Sequence, residues 1–336
     1  MKKFLTAAII FFSFSKLFAA ESLLFWEAQG VAGYSSLEKK TVYRSSENIY
    51  EPMQKNSIGF DYIRKLSTAA REFGSIALQA RLAYNVDEDK PEYQLYNAFL
   101  KLKSPAADIW IGHNRTAFGL SSYTDAHSEL LMPLTAYEYG YERDWGVGLQ
   151  RDFQTGDIRF SLTSATGMPL EYHGNYLAAL RYSHGVLVRD QYNAGLSILA
   201  GEVMQTRGFK FINHDLRSTY LADLDFAFLG GYGIEYRFEF VAGVQEDEEC
   251  YAAYNKIGLN WLDFDAYKAE YQFVLSRKGD ISTISNAFSV SYRLTSYLKI
   301  ALMYEYMQMF DDSMSSMGMS KTSIDNRITA QAYYYR

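Results

Sequence analysis

The sequence predicts an all-β chain: a transmembrane antiparallel β-barrel of about sixteen strands. Three observations carry this. Segments of about ten residues alternate between apolar and charged side chains, the period of a strand with two unlike faces and the length a tilted strand needs to cross a bilayer. Beyond the N-terminal leader no apolar run approaches the ~18 residues of a transmembrane helix. Yet aromatic residues make up 16% of the chain, with 29 Tyr and 22 Phe. A barrel accommodates both facts, because its lipid face uses only every second residue. Finally, tight turns alternate with long connections, as at the two rims of a membrane barrel.

The clearest copy of the repeat is Tyr232–Val244. Tyr232, Ile234, Tyr236, Phe238, Phe240, Ala242 and Val244 share one face; Gly233, Glu235, Arg237, Glu239, Val241 and Gly243 share the other. The same pattern places strands at 23–34, 56–66, 75–86, 92–103, 107–115, 144–153, 157–166, 175–184, 191–203, 219–229, 232–245, 250–262, 266–277, 284–294, 297–309 and 325–336. Tight turns such as Thr155-Gly156-Asp157 and Leu229-Gly230-Gly231 follow even strands. The long connections, 35–55, 116–143, 204–218 and 310–324, follow odd ones, and both termini fall at the short-turn rim. Pro52, Pro91, Pro105, Pro133 and Pro169 all lie in connections or at strand edges, where no ladder hydrogen bond is lost.

The two faces separate a membrane barrel from a soluble sandwich. Leu24, Trp26, Ile58, Leu82, Val147, Phe160, Leu196, Ile198, Tyr271 and Leu302 belong to a nearly charge-free outer face. The inner face carries twelve basic residues (Lys65, Arg81, Lys101, Lys103, Arg159, Arg181, Arg237, Lys256, Lys268, Arg293, Lys299, Arg327) and ten acidic ones (Glu27, Asp61, Asp144, Asp152, Asp223, Asp225, Glu235, Glu239, Glu270, Glu305). So many charges are expected in a water-filled lumen rather than a dry core. Their near balance leaves the sign of any selectivity open.

Met1-Lys2-Lys3, the apolar Phe4–Phe12 and Leu17-Phe18-Ala19-Ala20 have the layout of a secretory signal peptide. Residues 1–20 are therefore expected to be removed, leaving 21–336 as a single barrel domain. Loss of Lys2, Lys3 and Lys16 takes the formal charge from −6 to −9. An acidic exported chain is a poor partner for nucleic acid. The single cysteine, Cys250, excludes an internal disulfide.

Ile111-Gly112-His113-Asn114-Arg115-Thr116-Ala117-Phe118-Gly119-Leu120, followed by a long loop and Glu142-Arg143-Asp144-Trp145-Gly146-Val147-Gly148-Leu149, resembles the phosphate-selective porin O and P family. The resemblance covers residues 107–168. It implies a sixteen-stranded, usually trimeric barrel in the bacterial outer membrane, whose third outer loop turns inward to narrow the pore. No residue pattern here marks that family's anion-binding lysines. The terminal strand Ile328–Arg336 looks like the signal read by barrel assembly machinery, although it ends in Tyr335-Arg336 rather than on an aromatic.

The expected function is passive diffusion of small hydrophilic or charged solutes through a barrel set among outer-membrane lipids and lipopolysaccharide. Lys65, Arg81, Lys101 and Lys103 lie on neighbouring strands and are expected to form a basic arc. Arg115, Arg159, Arg181, Glu235, Arg237 and Glu239 complete the expected pore lining. Loop 116–143 brings Asp125, His127, Glu129, Tyr137 and Glu138 as constriction residues, with Leu130-Leu131-Met132 as apolar handles to pin it to the wall; an exposed surface loop is the alternative. A barrel enzyme, an apolar-substrate transporter and a closed structural or adhesive barrel are the alternatives.

Other motifs are read blandly. His113, His127, His173, His184 and His214 include no pair at metal-ligand spacing. Ser183-His184 places its two side chains on opposite faces, which argues against a catalytic pair. Glu246-Asp247-Glu248-Glu249 reads as a solvated turn, and Met307, Met309, Met314, Met317 and Met319 read as flexible filler rather than a soft-metal clamp. No cofactor is implied.

Overall fold

The computed structural model describes residues 22–44, 54–68, 71–86, 89–125, 127–207, 210–261, 266–312 and 321–336, with backbone only for 205–207 and 210–213. The leader, Pro52 and the methionines at 314, 317 and 319 lie outside the described residues. The strands are β1 Ser22–Ser35, β2 Lys40–Val42, β3 Ser57–Ser67, β4 Glu72–Asn85, β5 Lys90–Leu102, β6 Asp108–Arg115, β7 Arg143–Phe153, β8 Gly156–Thr163, β9 Tyr176–His184, β10 Tyr192–Arg207, β11 Lys210–Leu229, β12 Ile234–Gln245, β13 Glu248–Trp261, β14 Tyr267–Lys278, β15 Ile281–Arg293, β16 Leu298–Asp311 and β17 Lys321–Tyr335. All pair antiparallel in one sheet. β1 closes the barrel by pairing with β17 on one side (Glu27 opposite Tyr335, Ser35 opposite Arg327) and with β3 on the other. Sixteen strands form the wall; β2 is a three-residue rung paired with the end of β1.

The alternation read from the sequence is the alternation of the wall. Leu24, Trp26, Ile58, Leu196, Ile198 and Leu302 point outward and are 52–65% exposed. One step along the chain, Glu27, Ser197 and Met303 point inward and are buried. Such an outer face is stable only against lipid. At the short-turn rim, Trp261 stacks on Tyr267 at 5.9 Å, and Tyr267 meets Tyr292 at 4.5 Å. Amphipathic rings favour that level of a bilayer.

Three departures from the expected layout have physical causes. The connection expected at 204–218 is instead a continuation of β10 and β11, paired from Tyr192↔Phe228 out to Arg207↔Lys210. The apolar pattern stops where lipid stops, but backbone pairing needs no lipid and runs on into solvent. Tyr232, expected to open a lipid face, stands in a turn at φ 62 and is fully exposed. In β5, Gln79 pairs with Asn97 and the next rung pairs Ala80 with Leu95, so Tyr96 is an extra residue, a β-bulge.

The bulge shapes the wall. β6 joins β5 only from Ala98↔His113 onward, so the outer half of β5 has no partner on that side. Met168 of the β8–β9 connection covers this seam: its sulfur accepts from the Leu95 N–H at 2.9 Å, and its carbonyl accepts from Trp145 Nε1 at 2.7 Å. The β6–β7 connection turns inward beside the same seam.

Ile198→Arg should impair assembly, because a cation near the bilayer midplane costs about 2–4 kcal/mol. His184→Arg, at the short-turn rim, should not. Heat-modifiable gel migration reports both, and the reverse outcome would overturn the placement of Ile198 in the lipid-facing band and of His184 at its rim.

Candidate functional site: the lumen and its inward loop

The β6–β7 connection, residues 116–142, crosses the interior and is fastened to the wall almost all the way round. The Ala117 N–H donates to Ser161 Oγ on β8 and the Gly119 N–H to Ser197 Oγ on β10, both at 3.0 Å. The Leu120 N–H donates to Glu239 on β12 at 2.9 Å. Lys256 on β13 reaches Glu129 at 2.7 Å, and Lys299 on β16 reaches the Ser128 carbonyl at 2.8 Å. Gln272 on β14 donates to Met132 O, and Gln245 on β12 to Glu138 O. Tyr139 donates to the carbonyls of Tyr251 and Arg277, and Tyr141 to that of Met204.

Apolar packing supplies the rest of the hold. Phe118, Leu120, Leu134, Tyr137 and Tyr139 form a buried core with inward-facing Leu177, Leu199, Leu221, Val241, Tyr254 and Val274. Leu130 and Leu131 pack on Ala287, Ala301 and Met303, so these two apolar handles do pin the loop to the wall. Each such side chain contributes about 1.5–3 kcal/mol when fully buried. Gly119 sits at φ +57, and a Cβ there would stand 2.0 Å from the Glu239 carboxylate. Only glycine lets the chain come this close to the β12 wall.

This packing adds an apolar side to the lumen that the tally of inward charges does not foretell. The inner wall of β9–β14 is largely apolar at loop height, and the loop dries it. Several of the buried inward charges are ion-paired, as low dielectric favours, whereas Asp223, Glu239 and Glu305 are met by hydroxyl or backbone N–H donors. Arg181 forms a two-pronged contact with Asp225 at 2.9 and 2.6 Å and reaches Asn193 at 2.8 Å. Lys256 also holds Glu270 at 3.0 Å; Lys268 bridges Glu270 and Glu235; Glu235 pairs with Arg237. Arg81 pairs with Glu27 and donates to Gln29, Tyr96 and the His127 carbonyl.

The expected basic arc is divided. Lys65 and Lys101 each stand opposite Ser75, near the short-turn rim, and Lys103 lies two residues further on. Lys101 pairs with Asp108 and Lys103 with Glu72. Arg81 lies six residues along β4 from Ser75, about 20 Å away. Arg81 meets the loop at the His127 carbonyl and is ion-paired there with Glu27 of β1.

Asp125 forms a second knot, with Arg115 at 2.6 Å, Arg143 at 3.3 Å and His127 Nδ1 at 2.7 Å; His127 Nε2 also lies 3.1 Å from the Tyr333 hydroxyl. Arg143 was not singled out from the sequence. Its Arg-Asp context marked a strand start; it pairs with the adjacent Glu142 and, eighteen residues back in the loop, with Asp125. Tyr137 is buried in the loop core, and Glu138 caps its short 3-10 turn in a left-handed conformation. Arg159 holds Asp157 and the Ser122 carbonyl. Ser183 turns inward to Asp157 while His184 faces outward, so the two do not form a pair. Glu246 of the acidic turn pairs with Arg217 and Lys278.

Beside the loop, a cavity of about 290 Å³ is lined by Lys101, Trp110, Asn114, Arg115, Tyr123, Gln150 and Arg159, among others. Three cations and no carboxylate line it.

A closed sixteen-stranded barrel with an apolar outer face, whose third long-rim connection folds into the lumen, has the architecture of bacterial outer-membrane channels. Solved structures carry the same fold. OmpF of Salmonella typhi superposes with a TM-score of 0.66 at 10% identity, covering 94% of this chain and 97% of that one. An anion-selective porin from Comamonas acidovorans gives 0.65 at 8% identity over 94% and 100%. The trimer form of OmpT, an outer membrane protein of Vibrio cholerae, gives 0.64 at 12% identity over 95% and 100%. No family model and no curated protein matches the chain. At these identities the likeness is one of fold.

Burial pushes the Glu129 carboxyl up, but Lys256, Arg237 and Lys268 outweigh it and hold the group below its usual 4.5. A depressed carboxylate stabilises the folded loop above about pH 4.5 and loses that contribution as pH falls below it. Single-channel current should therefore be quiet from neutrality to about pH 4.5, and noise should rise progressively as pH falls from there towards about 2, the lowered value of the folded-state carboxyl. Lys256→Met should bring the noise on at neutral pH.

Proposed function

We propose that this protein is a porin of the bacterial outer membrane, through which small hydrophilic or charged solutes diffuse passively past the inward loop. The observation that carries this is the loop itself: a 27-residue connection spans the lumen and is fastened to strands on every side. A closed structural barrel has no need of such a device. The pore-lining and constriction roles of the residues named above, and a non-enzymatic mode of action, belong to this reading.

The finer reading is a preference for anions. It is supported by the cavity lined by Lys101, Arg115 and Arg159, and by the resemblance of residues 107–168 to phosphate-selective porins. Lys65, near the same rim, adds to the positive potential. In a confined lumen such potentials sum and are partly screened by salt. A homotrimer fits the resemblance and the trimeric form of the Vibrio cholerae neighbour. The terminal strand is read by the assembly machinery, with Tyr335 turned in to donate to Asp61 at 2.9 Å.

Planar-bilayer conductance tests the reading. Removing residues 124–138 should raise conductance; an unchanged value in a correctly folded deletion would place the constriction elsewhere. Replacing Lys65, Lys101 and Arg115 by Gln should lower the anion-to-cation permeability ratio, more so at low salt. An unshifted reversal potential would show that paired carboxylates already cancel these charges.

A further inference from the structure

Two histidines that are 41 positions apart in sequence meet outside the barrel wall. His173 lies in the β8–β9 connection and His214 on β11, and their ring centroids are 4.7 Å apart. Glu171 stands beside both. Its Oε2 is 3.7 Å from His173 Nε2 and 3.6 Å from His214 Nδ1. One ligand atom from each of the three lies within 4.8 Å of the others.

We propose that Glu171, His173 and His214 form a binding site for a divalent transition-metal ion of the zinc class at the outer mouth. Ligand atoms around a tetrahedral ion with bonds of about 2.0–2.1 Å stand about 3.3–3.4 Å apart. The two O···N distances exceed that edge by only about 0.3 Å, within the reach of a small rotation of exposed side chains. The donor set also selects the ion. Two imidazoles and one carboxylate suit Zn²⁺, Cu²⁺ or Ni²⁺, whereas Mg²⁺ and Ca²⁺ prefer oxygen alone. Three protein ligands leave a fourth position for water.

The site is held in shape from below. Asn175, 1% exposed, accepts from the His173 N–H at 2.6 Å. Its amide donates to the Glu171 carbonyl at 3.2 Å and to the Ser164 carbonyl. Gly174, at φ +88, makes the reversal between them, 3.8 Å from Leu216 at its ideal Cβ. Leu216 and His214 share one face of β11, so the loop is seated against the strand that carries the third ligand. His214 lies beyond the last β9–β10 rung, Glu202↔Tyr176, clear of the lipid-facing band and open to an ion from outside. A bound ion would tie the β10–β11 hairpin to the connection whose Met168 covers the β5–β6 seam. This does not depend on what passes through the pore.

Isothermal titration of untagged, detergent-refolded protein with ZnCl₂ near neutral pH tests the site. One ion per chain is expected. His173→Ala and His214→Ala should each weaken binding by at least about tenfold, more than loss of a supporting hydrogen bond at its mildest. Both side chains are half exposed, so heat-modifiable migration should be unchanged, which separates lost ligation from lost fold. X-ray absorption of the loaded protein should show two imidazoles around the ion. The proposal is overturned if the parent binds no Zn²⁺, if both variants bind like the parent, or if equimolar MgCl₂ displaces the ion.

Discussion

A wide barrel has two surfaces to satisfy, and in this protein the inner one is satisfied by its own third long-rim connection. Everything else in the lumen follows from that loop. It brings Phe118, Leu120, Leu134 and Tyr137 against Leu199, Leu221, Val241 and Val274, side chains that would otherwise stand in water on the inside of the wall. Apolar contact decides that the loop lies inside; loop N–H groups donating to Ser161, Ser197 and Glu239, and Gln272 and Gln245 donating to loop carbonyls, decide its path.

Drying half of the lumen raises the electrostatic stakes for the charges around it. A buried cation without a partner is worth several kcal/mol of instability, so pairing is the condition under which these residues can remain. Lys256 shows how it is met: at 1% exposure it lies against Glu129 of the loop and Glu270 of the neighbouring strand. The ion pair is therefore also a latch. Charges near the short-turn rim, such as Lys101 and Arg159, line the cavity beside the loop. The lumen thus has an apolar, packed side under the loop and, around the cavity, a side where Lys101, Arg115 and Arg159 are each held by a carboxylate.

The wall carries a second dependence. One extra residue, Tyr96, ends regular pairing between β5 and β6 and opens the seam beside which the loop turns inward. The same tyrosine is buried under Arg81 and Arg143, whose guanidinium carbons lie 4.8 and 5.3 Å from its ring. The bulge links wall irregularity, loop entry and lumen charge at one place.

What the sequence determined by itself was everything with a period of two. Alternation at Ile234–Gln245 and its fifteen counterparts places sixteen strands and sorts Ile198 from Ser197, because strand geometry sends neighbours to opposite faces. The Leu130-Leu131 handles were legible for the same reason: apolar residues in a long polar loop require a surface to cover. Tertiary structure alone decided the partners. The division of Lys65 and Lys101 from Arg81 depends on height along the wall, which spacing within a strand does not report. The hold of Asp125 on Arg143, the meeting of His173 with His214, and the apolar wall behind the loop all join residues from different strands or connections. Closure of the barrel is what brings them together, and no local pattern in the chain encodes it.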